Sequence, residues 1–175
     1  MKYCSACGTE VSLKIPEGED RLRHVCDACG TIHYQNPKII TGVVAEWNRQ
    51  ILLCKRAIEP RYGFWTLPAG FMENGETTEQ AAAREAYEEA TATLANMRLF
   101  AIENVPHISQ VHVIYQADLV EGQCAAGIES LEVKLFDEQD IPWDELAFRT
   151  VRKTLECFFQ DRREGVQQVH HLTLN

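Results

Sequence analysis

Apolar runs and polar breaks follow one another along this chain on a spacing that suits strands better than helices. Residues 38–47 are rich in Ile and Val, break at Asn48-Arg49-Gln50, and resume as Ile51-Leu52-Leu53-Cys54-Lys55-Arg56. Two such runs around a short polar break predict a strand–turn–strand hairpin. Residues 64–67 form another short candidate, halted by Pro68, which has no N–H for a sheet ladder. Further strands are expected over 97–105, 111–120 and 131–136. In the second of these, Val111, Val113, Tyr115, Ala117 and Leu119 alternate with more polar neighbours, the period of a half-buried strand.

Helical patterning is confined to two places. Thr77 stands three residues before Gln80, the spacing of a reciprocal helix cap, and Ala81, Ala82, Ala83, Ala86 and Ala90 follow. Alanine favours helix and permits close approach to a sheet. Late in the chain, 144–148 and 150–160 are expected to be helical, with Val151, Leu155, Phe158 and Phe159 on one face. The last dozen residues are polar and are expected to fray. The pattern as a whole describes an α/β fold, a mixed sheet flanked by helices.

A chain of 175 residues, 45% hydrophobic and 25% charged, is sized for one globular domain with a small appendage. No apolar run reaches the roughly 18 residues that cross a bilayer. Met1-Lys2-Tyr3-Cys4 has no signal-peptide core, so a cytoplasmic protein without membrane partners is expected. With 17 basic against 26 acidic residues the formal net charge is −9. That balance argues against broad binding to a nucleic-acid backbone, which relies on Lys and Arg. An anionic small molecule remains compatible if divalent cations stand between it and the protein.

Seven cysteines change the picture at the N-terminus. Cys4, Cys7, Cys26 and Cys29 follow the spacing C-x2-C-x18-C-x2-C, that of a structural zinc site. Two tight turns each present a pair of thiols, and four thiolates close a tetrahedron with no open position, so this Zn²⁺ is expected to be structural. Short strand-like pieces lie between the pairs, around Pro16-Glu17-Gly18. The segment has no basic stripe, which favours a brace or a dimer contact over nucleic-acid binding. Cys54, Cys124 and Cys157 are scattered and read as small apolar residues.

The densest candidate chemistry lies between Gly70 and Glu89. On a helix, Glu85, Glu88 and Glu89 stand at i, i+3 and i+4 and share a face. Three carboxylates there repel one another unless a hard divalent cation such as Mg²⁺ or Mn²⁺ ligates them. Taken alone, the stretch admits a solvated acidic face as readily as a cation site.

Gly70, Glu76, Arg84, Glu85, Glu88 and Glu89 together fit the register G-x5-E-x7-R-E-x2-E-E. This segment resembles the Nudix box, and the chain is similar to Nudix hydrolases that carry an N-terminal zinc ribbon. The resemblance implies a Nudix α/β/α sandwich over residues 35–165, after a ribbon at 1–34 and before a polar tail at 166–175. It is strongest to a branch that includes FAD and ADP-ribose diphosphatases, through His33-Tyr34-Gln35-Asn36-Pro37, residues 54–61, Leu67-Pro68-Ala69-Gly70-Phe71-Met72-Glu73 and Ile141-Pro142-Trp143. The signature S-Q-P-W-x-F-P-x-S of NADH diphosphatases is absent.

The resemblance implies hydrolysis of a diphosphate bond in an ADP-linked nucleotide. Glu85, Glu88 and Glu89 would hold Mg²⁺ or Mn²⁺ with the backbone carbonyl of Ala69. Glu88, Glu89 or the loop residue Glu129 would serve as base, although Glu129 reads equally as a solvated loop carboxylate. Arg84 is expected to pair with a box carboxylate such as Glu76 and fix the loop. Arg56 and Arg61 are candidates to meet phosphate or to be plain surface charge. Tyr62, Phe64 and Trp65 are candidates to stack on a base or to pack in the core, and His107 and His112 are read as structural. NADH diphosphatase or RNA NAD-cap removal, and a non-catalytic nucleotide-sensing regulator, are the alternatives; a homodimer is the expected assembly. One departure stands out. The box glycine after the helix is Thr91, whose Cβ disfavours positive φ, so the chain is expected to leave the helix by a different path.

Overall fold

The computed structural model describes residues 1–175, which divide into two compact units, Met1–Pro37 and Lys38–Asn175. The first unit is a three-stranded antiparallel sheet of β1 (Ser12–Lys14), β2 (Arg23–Val25) and β3 (Ile32–His33), in that order. Its buried residues are Cys4, Val25, Cys26 and His33. A core that small cannot hold a fold without a cross-link.

The second unit is built on a mixed eight-stranded sheet. The first hairpin is β4 (Lys38–Trp47) and β5 (Gln50–Arg56), closed by Asn48 and Arg49 at φ 48° and 68°. Two successive left-handed residues give the turn whose twist matches paired strands. Next come the short β6 (Trp65–Thr66) and β7 (Ala69–Phe71), helix α1 (Thr78–Ala90), and the long strands β8 (Leu94–Val105) and β9 (Gln110–Leu119). The chain ends with β10 (Ser130–Phe136), helix α2 (Arg149–Glu164) and β11 (His170–Thr173). The strand order is β10-β5-β4-β9-β8-β11, with β6 on β5 and β7 on β4. The β4–β9 and β8–β11 pairs are parallel, the other pairs antiparallel.

The helices cover opposite faces, and the two-residue strand period sorts the apolar side chains between them. Val43, Ala45, Leu52 and Cys54 face Ala86 and Ala90 of α1. Val44, Ile51 and Leu53 face Val151, Leu155, Phe158 and Phe159 of α2. Both faces of β4 and β5 are buried, which is why those runs are continuously apolar. This is the α/β/α sandwich with a mixed sheet that the resemblance implies. No helix is long and apolar enough to cross a membrane.

Three local expectations need correction. Residues 144–148 are not an α-helix: a single 3₁₀ turn at Trp143–Glu145 gives way to a bridge between Trp65 and Leu146, and the Ala147 N–H bonds the Trp65 carbonyl at 2.8 Å. Pairing to β6 outcompetes local helix propensity there. The tail does not fray over its whole length, because β11 pairs with β8 in register His170↔Ala101 to Thr173↔Asn104. An open sheet edge supplies the backbone partners that a polar sequence does not advertise. Thr91 does take the left-handed conformation, at φ 51° and ψ 23°. Its N–H bonds the Tyr87 carbonyl at 2.8 Å and its hydroxyl donates to the Ala125 carbonyl at 2.7 Å. Those bonds offset the roughly 1–2 kcal/mol that a Cβ costs in this region.

Candidate active site

The site is assembled where α1 meets β7 and the loop before β10. Thr77 caps α1 reciprocally: its hydroxyl accepts from the Gln80 N–H at 3.2 Å, and the Gln80 side chain accepts from the Thr77 N–H at 2.8 Å. That fixes the helix start, and so the heights of the three glutamates along it. Their environments differ sharply. Glu89 is 6% exposed, whereas the side chains of Glu85 and Glu88 are 12% and 56% exposed. One face of a helix thus carries a buried, a half-sheltered and an open carboxylate.

Glu89 accepts from the backbone N–H of Ala69 at 3.1 Å, tying helix to β7. Gly70 beside it leaves the space that Glu85 fills. A Cβ at residue 70 would fall 2.3 Å from the Glu85 carboxylate, so no larger residue fits without moving that group. The loop residue Gly127 approaches the end of α1 equally closely. Its N–H bonds the Glu89 carbonyl at 3.0 Å, and a Cβ there would meet the Glu88 carbonyl oxygen at 1.7 Å. This brings exposed Glu129 to the same cleft.

Arg84 knits the acidic groups together. Its Nε and Nη2 donate to the two oxygens of Glu76 at 3.1 and 2.8 Å, a bidentate pair. Nη2 also donates to the Phe71 carbonyl at 3.0 Å, and Nη1 to Glu85 and Glu88 at 2.8 and 2.9 Å. Glu76 in turn accepts from the Glu73 N–H at 2.6 Å. Arg84 therefore positions the loop and supplies positive charge among the carboxylates.

Burial pushes the Glu89 carboxyl up to about 8, and the nearby charges of Glu85 and Glu129 add to it. Burial also raises Glu85, while Arg84 holds Glu76 below its ordinary range. The donor types suit a hard divalent cation, carboxylate oxygens of which one is desolvated and held by a backbone N–H, but here Arg84 occupies Glu85 and Glu88, and the three carboxylates do not converge within 4.8 Å as the four cysteine sulfurs do. A raised carboxyl binds its extra proton only in the folded state. Its contribution to stability is present below about pH 4.5 and is lost as pH climbs to about 8. Glu103, pushed up to about 7 by burial, acts in the same direction. The thermal midpoint of zinc-loaded protein without magnesium is therefore expected to fall between pH 5 and pH 8. Added magnesium, which needs ionised ligands, is expected to stabilise more as pH rises. Thermal scans across that range check this; magnesium stabilisation that is flat with pH contradicts it.

The glutamates open into a cleft of about 1190 Å³. Arg56 and Arg61 line it. Arg56 Nε donates to the Pro60 carbonyl at 2.8 Å and its guanidinium lies over the Phe148 ring at 5.2 Å; that of Arg61 lies over Phe64 at 5.4 Å. Trp65 belongs to the core, edge-on to Phe136, and exposed Tyr62 is not among the cleft residues. The aromatic walls are Phe71, Tyr87 and Phe148, which sequence reasoning did not single out. It also passed over Glu103. A signal was present: Ala101 and Val105 face inward on β8, so an acid between them at the same period is out of place.

In the first unit, the Cys4 and Cys29 sulfurs are 3.7 Å apart and those of Cys7 and Cys26 3.4 Å, with all four within 4.8 Å of one another. A tetrahedral zinc with sulfurs at about 2.3 Å separates them by roughly 3.8 Å, so the set fits that ion. His33 Nε2 lies 3.3 Å from the Cys4 sulfur.

Residues 2–35 match the model of the Nudix N-terminal zinc ribbon, and residues 37–156 match that of the NUDIX domain. The chain belongs to the Nudix hydrolase family. A crystal structure of a NUDIX hydrolase from Nitrosomonas europaea superposes with a TM-score of 0.96 at 52% identity, covering 100% of this chain and 99% of that one. Among curated proteins, the NAD-capped RNA hydrolase NudC of Vibrio vulnificus is 31% identical over 144 residues, 81% of this chain and 53% of the relative. The ADP-ribose pyrophosphatase of Methanocaldococcus jannaschii is 31% identical over 121 residues, 66% of this chain and 69% of the relative. This Nudix chain thus spans about half the length of the NudC relatives it matches.

Proposed function

We propose that this Nudix hydrolase cleaves the diphosphate bond of an ADP-linked nucleotide, ADP-ribose or FAD, giving AMP and the phosphorylated remainder. The observation that carries the reading is one cleft lined by Glu85, Glu88, Glu89 and Glu129 together with Arg56, Arg61 and Phe148. That lining offers cation ligands, phosphate-binding guanidinium groups and an aromatic surface in one space. The M. jannaschii relative named as an ADP-ribose pyrophosphatase supports the substrate class.

Mg²⁺ or Mn²⁺ held by Glu85, Glu88, Glu89 and the Ala69 carbonyl would neutralise phosphate charge and lower the pKa of a bound water. Buried Glu89 serves as a ligand. Glu88 and Glu129, the exposed carboxylates, are the groups able to accept the proton of an attacking water. Arg56 and Arg61 bind phosphate oxygens and hold the diphosphate in line. In the ribbon, Cys4, Cys7, Cys26 and Cys29 would hold a structural Zn²⁺.

A second reading has its own support. The relatives named NAD-capped RNA hydrolase NudC support removal of NAD caps from RNA, the alternative that the sequence pairs with NADH hydrolysis. Against it stand the missing signature and the net charge of −9. The test incubates the protein with ADP-ribose, FAD, NADH and NAD-capped RNA plus Mg²⁺ or Mn²⁺ and measures AMP release. ADP-ribose or FAD is expected to turn over fastest. Preference for NADH or capped RNA replaces the first reading with the second, and binding without turnover contradicts both.

A further inference from the structure

Glu103 is fully buried in β8, between His112 of β9 and Leu172 of β11 in the sheet register. Its Oε1 accepts from the Thr154 hydroxyl of α2 at 2.6 Å, while Oε2 has no hydrogen-bond partner. The Nδ1 atom of His112 is 3.7 Å from Oε2, too far for a hydrogen bond. The imidazole instead has Nε2 3.1 Å from the Gln110 side-chain oxygen. Glu103, Gln110, His112 and Thr154 all line the cleft that also holds the glutamates of α1.

The Thr154 hydroxyl is the one hydrogen-bond partner that the packing gives this acid. Apart from Thr154 and His112, this side of the sheet is packed with an apolar cluster that includes Ala101, Ile114, Val151 and Leu155. A carboxyl sunk among them with one oxygen unpaired destabilises the fold, and an apolar side chain of the same size would not. Groups of this kind, kept at a cost beside a cleft, are candidates for ligand contact.

We propose that Glu103 and His112 form a specificity subsite, which receives an amino or hydroxyl group from the part of the nucleotide beyond the diphosphate. Oε2 of Glu103 is the acceptor, and half-buried His112 beside it is the side chain with which the ligand group shares that oxygen. The proposal rests on the reading that the cleft binds a nucleotide. Burial raises the Glu103 carboxyl to about 7, so that it loses part of its charge at neutral pH, and lowers the His112 imidazole, which leaves it uncharged. Two ligand groups have this chemistry, the 6-amino group of adenine and the hydroxyls of a terminal ribose.

The test uses the zinc-loaded full chain with Ca²⁺ in place of Mg²⁺ to suppress turnover, and titrates ADP-ribose calorimetrically. The double variant Glu103→Met with Thr154→Val removes the acid without stranding its hydroxyl partner. It is expected to bind ADP-ribose at least about tenfold more weakly while its thermal midpoint stays level or rises. A purely structural Glu103 gives the reverse, a lower midpoint and unchanged affinity, and overturns the proposal. His112→Leu provides a second variant should the double one misfold, and wild-type affinity in it is equally contrary. The hypoxanthine counterpart of ADP-ribose and AMP separate the two donors. If only the wild type discriminates against hypoxanthine, the adenine amino group is the donor. If the double variant loses ADP-ribose affinity but binds AMP like the wild type, the terminal ribose is. Wild-type protein that binds neither ADP-ribose nor NADH contradicts the nucleotide reading and the subsite with it. Wild-type binding that both variants match contradicts the subsite alone.

Discussion

Glu88→Gln is expected to lower kcat by about a hundredfold or more and to leave the fold intact. The size of the effect follows from charge. A diphosphate approaching a protein of net charge −9 meets repulsion unless a cation intervenes, and Glu88 is the most exposed of the three proposed carboxylate ligands lining the cleft. Glutamine keeps the shape but loses the anionic oxygen. The fold should not suffer, because the side chain is 56% exposed and its one ion pair, to Arg84 at 2.9 Å, is the kind that contributes little to stability. Steady-state kinetics with ADP-ribose at saturating magnesium, beside a circular-dichroism melt, measure both halves. Turnover within threefold of wild type would remove Glu88 from the metal centre.

Stripping the metal from the N-terminal segment is expected to unfold that segment and spare the rest. Its three strands contain three, three and two residues. Two of its four buried residues, Cys4 and Cys26, belong to the four-thiol cluster, so half of this small core is the proposed metal site itself. Structural zinc sites carry about 10–16 kcal/mol of apparent binding free energy, far more than so small a core supplies. The second unit has two large apolar clusters of its own and needs no such cross-link. Limited proteolysis after chelation should cut within residues 1–37 and leave residues 38–175 resistant; Cys26→Ser should do the same without a chelator. An unchanged digestion pattern after verified zinc loss would contradict the structural role.

Much of this architecture is legible in the sequence because burial writes itself as periodicity. The continuous apolar runs of β4 and β5 record a sheet covered on both faces. The Thr77–Gln80 spacing marks the start of α1, and the four cysteines mark their own site. What escapes is set by partners distant in sequence. β7 at Ala69–Phe71 has no strand-like pattern and exists because β4 accepts it in register Ile40↔Phe71 to Gly42↔Ala69. β11 is polar and forms on the free edge of β8. Thr91 keeps a glycine-like conformation through a bond to Ala125, thirty-four residues away. Within the site, the box glutamates are legible as a set, but their division into buried and open groups is not. That division comes from Ala69, Gly70 and Gly127 packing around them.

The central claim is that Glu85, Glu88 and Glu89 converge on a divalent cation that receives the diphosphate. Crystals grown with Mn²⁺ and a non-hydrolysable ADP-ribose analogue test it most directly, through the anomalous signal of manganese. The account predicts at least one anomalous peak within about 2.5 Å of carboxylate oxygens from these residues and of a phosphate oxygen, with the Arg84 contacts to Glu85 and Glu88 rearranged. Nucleotide bound in the cleft, with no manganese among those oxygens, would contradict it.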